Sequence, residues 1–149
     1  MPHIVFVSPD KAPMDLLLEA DPSEEHVAAY LDGSLCYLAL EADEPLGVCV
    51  LNQIEDSVLE LYNIAVYPGR QKQGIGTALL RHVIGEAKAK GFGRIELSTG
   101  TFGYQLAFYQ RAGFRVVRVV PNFFLDTYDE PIFEMGIQLK DMLRLALEL

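Results

Sequence analysis

The sequence predicts a mixed α+β fold, and three observations carry that reading. Between residues 35 and 66, three extended apolar segments follow one another across short turn-rich stretches, as in an antiparallel meander. Residues 74–90 then switch to helical spacing, with Ile75, Leu79, Leu80, Val83 and Ala87 on one face. From there, strand-like and helix-like segments alternate to the end of the chain.

Taken in order, His3–Ser8 (HIVFVS) reads as a first strand. Ala12–Ala20, with Met14, Leu16, Leu17 and Leu18, reads as a short helix. A second helix is expected to open at Asp21-Pro22-Ser23-Glu24, with Asp21 as N-cap and Pro22 in the first helical position, and to stop after Leu31 at Asp32-Gly33. The three meander strands are Leu35–Glu41, Leu46–Asn52 and Val58–Val66, parted by Ala42–Pro45 and Gln53–Ser57. The helix over Gly74–Lys90 ends at Gly91, a C-cap residue. Arg94–Ser98 is a strand, Gln105–Ala112 a helix stopped by Gly113, and Phe114–Val120 a β-branched strand. The tail from Ile137 has helix-favouring residues, yet Leu143, Leu145, Leu147 and Leu149 alternate with Arg144, Ala146 and Glu148. We read Asp141–Leu147 as a strand. The resulting order is β-α-α-β-β-β-α-β-α-β-β.

At 149 residues and 50% hydrophobic, the chain is expected to be one domain, 1–149, with a core that needs neither disulfide nor metal. No apolar run reaches the ~20 residues of a membrane helix, and the N-terminus lacks a signal peptide's pattern. A formal charge of −9 opposes binding to a phosphate backbone, so neither nucleic acid nor membrane is an expected partner; a cationic substrate would be tolerated. Cys36 and Cys49 sit in separate apolar runs that can face each other across a hairpin. Without an export signal they read as reduced core thiols of a cytoplasmic protein. His3, His26 and His82 show no metal-ligand spacing, so no metal site is expected.

The sharpest local feature is Val66–Thr77, VYPGRQKQGIGT. A strand ends, Pro68-Gly69 turns the chain, and a helix opens near Gly74. Glycines there let backbone N–H groups converge on an anion, assisted by the roughly +0.5 charge at a helix N-terminus. Arg70 and Lys72 add positive charge, and a phosphate-bearing ligand is the natural expectation. Gly69 and Gly74 have the separation of a Walker A loop, but Ile75-Gly76 replaces Lys-Ser/Thr. A dinucleotide fingerprint fails at Leu79, where a third glycine is required.

What remains, Gln71-x-x-Gly74-x-Gly76, resembles the Gln/Arg-x-x-Gly-x-Gly/Ala signature of the GCN5-related N-acetyltransferases (GNAT). The preceding strand, Leu59–Val66, looks like that family's fourth strand. Ala107–Phe114 (AFYQRAGF) is similar to its second signature, a helix ending in Tyr-x-x-x-Gly-Phe. The resemblance implies a mixed, mostly antiparallel twisted sheet of about seven strands flanked by helices. It also implies an acetyl-coenzyme A-dependent N-acetyltransferase acting on a primary amine of a small molecule or peptide by direct attack. By the same resemblance, the amides of Gln71, Lys72, Gln73, Gly74, Ile75 and Gly76 wrap the pyrophosphate of acetyl-coenzyme A, with Thr77 adding a hydroxyl. The strand edge at Asn63, Ile64, Ala65 and Val66 would pair with the pantetheine arm.

Acetyl transfer to an amine has two proton problems. A lysine-like amine, with a pKa of ~10.4, is mostly protonated at pH 7, and the departing thiolate benefits from a proton. Tyr109 is the candidate general acid, the role the family commonly gives a tyrosine there; the plainer reading is that it packs helix on sheet. Glu60 is the candidate base, six residues before Val66, where some family members carry a catalytic glutamate. By period-two alternation Glu60 is expected to share a face with Tyr62 and Ile64. Its alternative role is to orient substrate. Many relatives carry an Asn after the fifth strand; here the stretch is Ser98–Tyr104, where Ser98 or Thr99 can substitute. Pro121–Pro131 (PNFFLDTYDEP) joins the last two strands and is read as a wall of the acceptor site. Phe123, Phe124 and Tyr128 would pack on its carbon skeleton, with Asp126, Asp129 and Glu130 drawing a cationic amine. A homodimer is allowed. The competing class is a non-catalytic acyl-coenzyme A sensing module.

Overall fold

The computed structural model of the chain describes residues 2–149, which fall into two units: the chain up to Gly93 with Leu149, and Arg94–Glu148. In chain order the first unit holds β1 (His3–Val7), α1 (Met14–Ala20), α2 (Glu24–Leu31), β2 (Leu35–Glu41), β3 (Glu44–Glu55), β4 (Val58–Val66) and α3 (Ile75–Ala89). The four strands lie side by side in sequence order, each antiparallel to the next. The expected meander is therefore present, with β2 and β4 at the expected bounds. β3 is longer than expected because Glu44-Pro45 and Gln53–Glu55 continue the ladder rather than turn. The β2–β3 turn shrinks to Ala42-Asp43, both left-handed (φ 51° and 66°), the backbone a two-residue hairpin prefers.

One face of this sheet buries Cys36, Leu38, Val48, Val50 and Ala65 against Leu16 and Leu17 of α1 and Val27 of α2. On the opposite face α3 packs, where His82 meets the buried Tyr37 ring edge-on at 5.7 Å. Cys36 pairs with Val50 and Tyr37 with Cys49, so the two cysteines are one residue out of register and point to opposite faces. They do not face each other across the hairpin. Both are free and buried; burial pushes the Cys36 thiol up to about 11 and Cys49 well above its usual value, so neither is a nucleophile at neutral pH.

The start of α2 differs from expectation. Its N-cap is Ser23, whose Oγ accepts from the His26 amide at 3.2 Å. Asp21 instead ends α1 and accepts hydrogen bonds from the Ser23 amide and the Tyr30 hydroxyl. Ser23 followed by Glu24 and Glu25 is an equally good opening, and burial of Asp21 decides between the two. The stop at Asp32-Gly33 and the closure of α3 by Gly91 are as expected.

The second unit holds β5 (Arg94–Gly100), α4 (Tyr104–Arg111), β6 (Arg115–Val120), α5 (Phe123–Thr127), β7 (Phe133–Glu134), β8 (Ile137–Gln138) and β9 (Met142–Glu148). β9 lies between β5 and β6, antiparallel to both, which makes the ambiguous tail a strand. Alternation outranks helix propensity there because both flanking strands offer ladder partners. β7 and β8 form a separate hairpin. Four strands in one unit and five in the other, with helices in both, give the expected mixed α+β class. No helix among the described residues is long and apolar enough to cross a membrane.

Across β5 and β9 runs a charged network. Arg144, 7% exposed, donates to Glu96 Oε1 at 3.0 and 3.3 Å and to Ser98 Oγ at 2.9 Å. Arg94 donates to the other Glu96 oxygen at 2.7 Å and also pairs with Glu148. Burial opposes ionisation of Glu96, but Arg94 and Arg144 outweigh it and hold its carboxyl below the usual value. A depressed carboxylate contributes stability above its unfolded pKa that is lost as pH falls through the folded one. Glu96→Gln, which takes the carboxylate away from the buried Arg144 and from Arg94, is expected to lower unfolding free energy at pH 7 by roughly 3 kcal/mol. Urea titrations should also show a weaker loss of stability on acidification than in the parent; an equal acid loss would remove Glu96 from this role.

Candidate functional site

The candidate site of the first unit is organised by an irregularity in β4. Val50 pairs with Asn63 but the next residue, Leu51, pairs with Leu61, so Tyr62 is an extra residue in β4. Glu60 pairs with Asn52, Asn63 with Val50 and Ala65 with Val48. Because residues 48, 50 and 52 share one face of β3, Glu60, Asn63 and Ala65 share one face of β4, the face covered by α1 and α2. The expected pairing of Glu60 with Tyr62 therefore holds, but Ile64 pairs with Cys49 and lies on the other face. The bulge inverts the alternation after Tyr62, and nothing in the local residue pattern marks it.

Around Glu60 the helices are clamped to the sheet by two asparagines. Asn63, 3% exposed, donates through Nδ2 to the Leu17 carbonyl and to the Tyr30 hydroxyl, each at 2.9 Å. Asn52, opposite Glu60, donates to the Tyr30 carbonyl at 3.3 Å and the Asp32 carbonyl at 3.1 Å. Tyr30 is thus held at both ends, and its ring lies flat on Tyr62, centroids 4.9 Å apart and planes 10° apart. Glu60, Tyr62 and Tyr30 are all half-buried. The Asn63 side chain, expected at the cofactor edge, is turned into the helices, which leaves only its backbone for that edge.

The glycine loop follows β4. After a 3₁₀ turn at Pro68–Arg70, Lys72 (φ 62°) and Gly74 (φ 82°) adopt left-handed conformations and curl the chain into α3. A Cβ at Gly74 would meet nothing within 4 Å, so backbone conformation alone requires glycine there. Ile75, 3% exposed, anchors the helix start, while Gln71, Lys72, Gln73, Gly74 and Thr77 are exposed. No side chain caps α3 and its first turn carries no acidic residue, so its leading amides have neither an intrahelical acceptor nor a capping side chain. Gln71 Nε2 donates back to the Val66 carbonyl at 3.0 Å and closes the loop on β4. Arg70 is engaged elsewhere: it grips both Glu41 oxygens at 3.0 and 3.1 Å and donates to Gln73. That pairing holds the Glu41 carboxyl below its usual value and leaves Lys72 as the loop's cation.

In the second unit the Tyr-x-x-x-Gly-Phe motif has a local physical meaning. Gly113 (φ 105°) donates to the Gln110 carbonyl and Phe114 to the Tyr109 carbonyl, a complete Schellman stop for α4. Its apolar contact is Tyr109 on Phe114, ring centroids 5.8 Å apart, with Phe108 edge-on at 5.3 Å. Tyr109 is 9% exposed. The glycines of Ser98–Tyr104 make room for the β7–β8 segment: a Cβ at Gly100 would lie 2.9 Å from Leu139 Cδ2. Ser98 accepts from Arg144 and Thr99 is buried, so neither stands ready as a substitute for the family's Asn. The Pro121–Pro131 stretch is not an open connection. It folds into α5, where Phe124 stacks on Tyr128 at 6.0 Å and meets Phe123 edge-on. Asp126 is exposed on it, and Phe123 and Tyr128 are half-buried.

With that geometry in view, the comparisons with known proteins are direct. The acetyltransferase (GNAT) family model matches residues 7–114. The uncharacterized N-acetyltransferase YvbK of Bacillus subtilis (strain 168) is 46% identical over 136 residues, spanning 91% of this chain and 88% of that protein. Among solved structures, the IAA acetyltransferase from Bacillus cereus ATCC 14579 superposes with a TM-score of 0.95 at 40% identity, covering 100% of both chains. A GNAT family acetyltransferase from Elizabethkingia anophelis, solved with acetyl-CoA bound, gives 0.93 at 42% identity over 99% of this chain and 97% of that one. This chain belongs to the GNAT family of acetyltransferases.

Sequence reasoning missed Tyr30 and Asn52. The available signals were a tyrosine three residues after Val27, on the buried side of α2, and an amide interrupting an apolar strand. Asn63→Ala removes the clamp at the Leu17 carbonyl and the Tyr30 hydroxyl. It should cost about 2 kcal/mol of stability, the usual cost of stranding buried polar partners. Denaturant midpoints measure it, and an unchanged midpoint would contradict the clamp.

Proposed function

We propose that this chain transfers an acetyl group from acetyl-coenzyme A to a primary amine of a small molecule or peptide by direct attack, in the cytoplasm. The observation that carries the proposal is the uncapped, acid-free start of α3 after two left-handed residues, a cradle for an anion in a chain of net charge −9. The donors fit a pyrophosphate: the amides of Gln71 to Gly76, the Lys72 ammonium and the Thr77 hydroxyl. Backbone groups of Asn63, Ile64, Ala65 and Val66 would receive the pantetheine arm. When bound, acetyl-coenzyme A supplies an acetyl thioester already activated toward amines.

The chain's own groups handle the protons. Glu60 would accept a proton from the acceptor ammonium, directly or through one water; its half-buried place beside Tyr62 keeps it within reach of solvent and substrate. Tyr109 would donate its phenolic proton to the departing sulfur, its ring fixed by Phe108 and Phe114. Phe123, Asp126 and Tyr128 would line the acceptor from α5.

Glu60→Gln should lower kcat by ~10²–10⁴ if the carboxylate is the base. A loss below about threefold at saturating amine would remove it from that role. Tyr109→Phe should slow thiol release strongly while leaving acetyl-coenzyme A affinity in place. Gly74→Ala, by straining a left-handed position, should raise the KM for acetyl-coenzyme A about tenfold, since one to three kcal/mol of strain falls on the cradle. Binding without turnover across amino acids, polyamines, aminoglycosides and lysine peptides is the behaviour of a sensing module and would overturn the catalytic reading.

A further inference from the structure

Apolar exposure is concentrated on the second unit. It carries eight of the eleven large apolar side chains exposed among the described residues, and three of them, Val116, Val117 and Val119, lie on β6. β6 is the last strand of its sheet: β9 pairs with one edge, and no strand among the described residues pairs with the other. Arg115 to Val119 are five consecutive exposed residues, which leaves the strand uncovered. A bulge at Val117 sorts its faces. Arg115, Arg118 and Val120 lie opposite Ala146, Arg144 and Met142 on one face, whereas Val116 and Val119 lie opposite Leu145 and Leu143 on the other. Arginines and a bulge are common means of keeping an edge strand single. Here both arginines fall on one face, and the valine face carries no charge.

The charges around β6 are separated along its length. Arg111 and Arg115 stand at its start. At its end, α5 is held beside the start of β9 by the Asn122 amide on the Asp141 carboxylate and the Phe124 amide on the Lys140 carbonyl. Asp126, Asp129 and Glu130 lie in and just after α5. All five charged groups are exposed, and none has an ion-pair partner among the described residues. A six-residue strand spans roughly 20 Å, about twice the Debye length at 0.1 M salt, so opposite charges at its two ends barely attract each other. Antiparallel pairing with a second β6 removes that separation, because the basic start of each strand then meets the acidic finish of the other. The bulge suits such self-pairing. Centred between Val117 and Arg118, it sets Val116 opposite Val119 and Arg115 opposite Val120, residues that share a face, and sets no arginine opposite an arginine. The open backbone groups of both edges are paired at the same time. We propose that a second copy of this chain occupies the edge of β6, giving a two-fold dimer in which Arg111 and Arg115 of one copy face α5 of the other.

Sedimentation velocity from about 1 to 100 µM chain should show the monomer giving way to a species of twice its mass. Arg111→Glu with Arg115→Glu should weaken the dimer about 30-fold, and adding Asp129→Lys and Glu130→Lys to that chain should recover most of the loss, since both signs are then exchanged. Val119→Lys, which charges the valine face, should weaken it about tenfold. These side chains are exposed, so thermal midpoints of the variants at low concentration should stay with the parent. Hydrogen exchange of the β6 amides should slow as chain concentration rises. A chain that stays monomeric throughout, or a dimer indifferent to both the charge reversal and Val119→Lys, overturns the proposal. A monomer whose β6 amides are protected only when a lysine peptide is added also overturns it, with that peptide as the occupant.

Discussion

One extra residue in a strand sets which side chains of the first unit share a face. Had β4 run regularly past Leu61, alternation would have placed Asn63 on the α3 face and left α1 and α2 without their buried clamp. Because Tyr62 is bulged, Glu60, Tyr62 and Asn63 all serve the same side of the sheet. A carboxylate, an aromatic platform and an amide that fixes α1 and α2 thereby converge within four residues. The cost is a broken ladder at one point and an amide oxygen buried without a partner.

The same strand leads directly into the glycine loop, so under the proposed function one element would serve two chemistries of opposite sign. The end of β4 opens a loop with an uncapped helix start and an exposed lysine, and the middle of β4 belongs to a segment devoid of lysine and arginine. Arg70, which looks from the sequence like a phosphate ligand, is instead consumed by Glu41 and ties the loop to β2. An exposed pair of this kind contributes little to stability; its effect is to orient the loop.

Most of the fold was legible because long, strongly patterned segments dominate it. β2 and β4 match their expected bounds, and even the leucine-rich tail resolved correctly once alternation was weighed above propensity. What escaped notice shares one physical cause, namely that it depends on partners distant in sequence. The bulge depends on β3, the N-cap at Ser23 on burial of Asp21, and the opposite facing of Cys36 and Cys49 on a one-residue register offset. α5 and the β7–β8 hairpin are too short to show a period. At the site, the turn of the glycine loop into α3 was readable because a loop's conformation is local. Tyr30 and Asn52 were not, since their importance appears only when α2 is laid on β4.

The most direct test of the account is an amide-resolved NMR titration of the isotopically labelled protein with coenzyme A. The account predicts that the largest shifts fall on the amides of Gln71 to Thr77, with a second set at Asn63 to Val66. Saturable binding that leaves both stretches silent while moving amides elsewhere would contradict it.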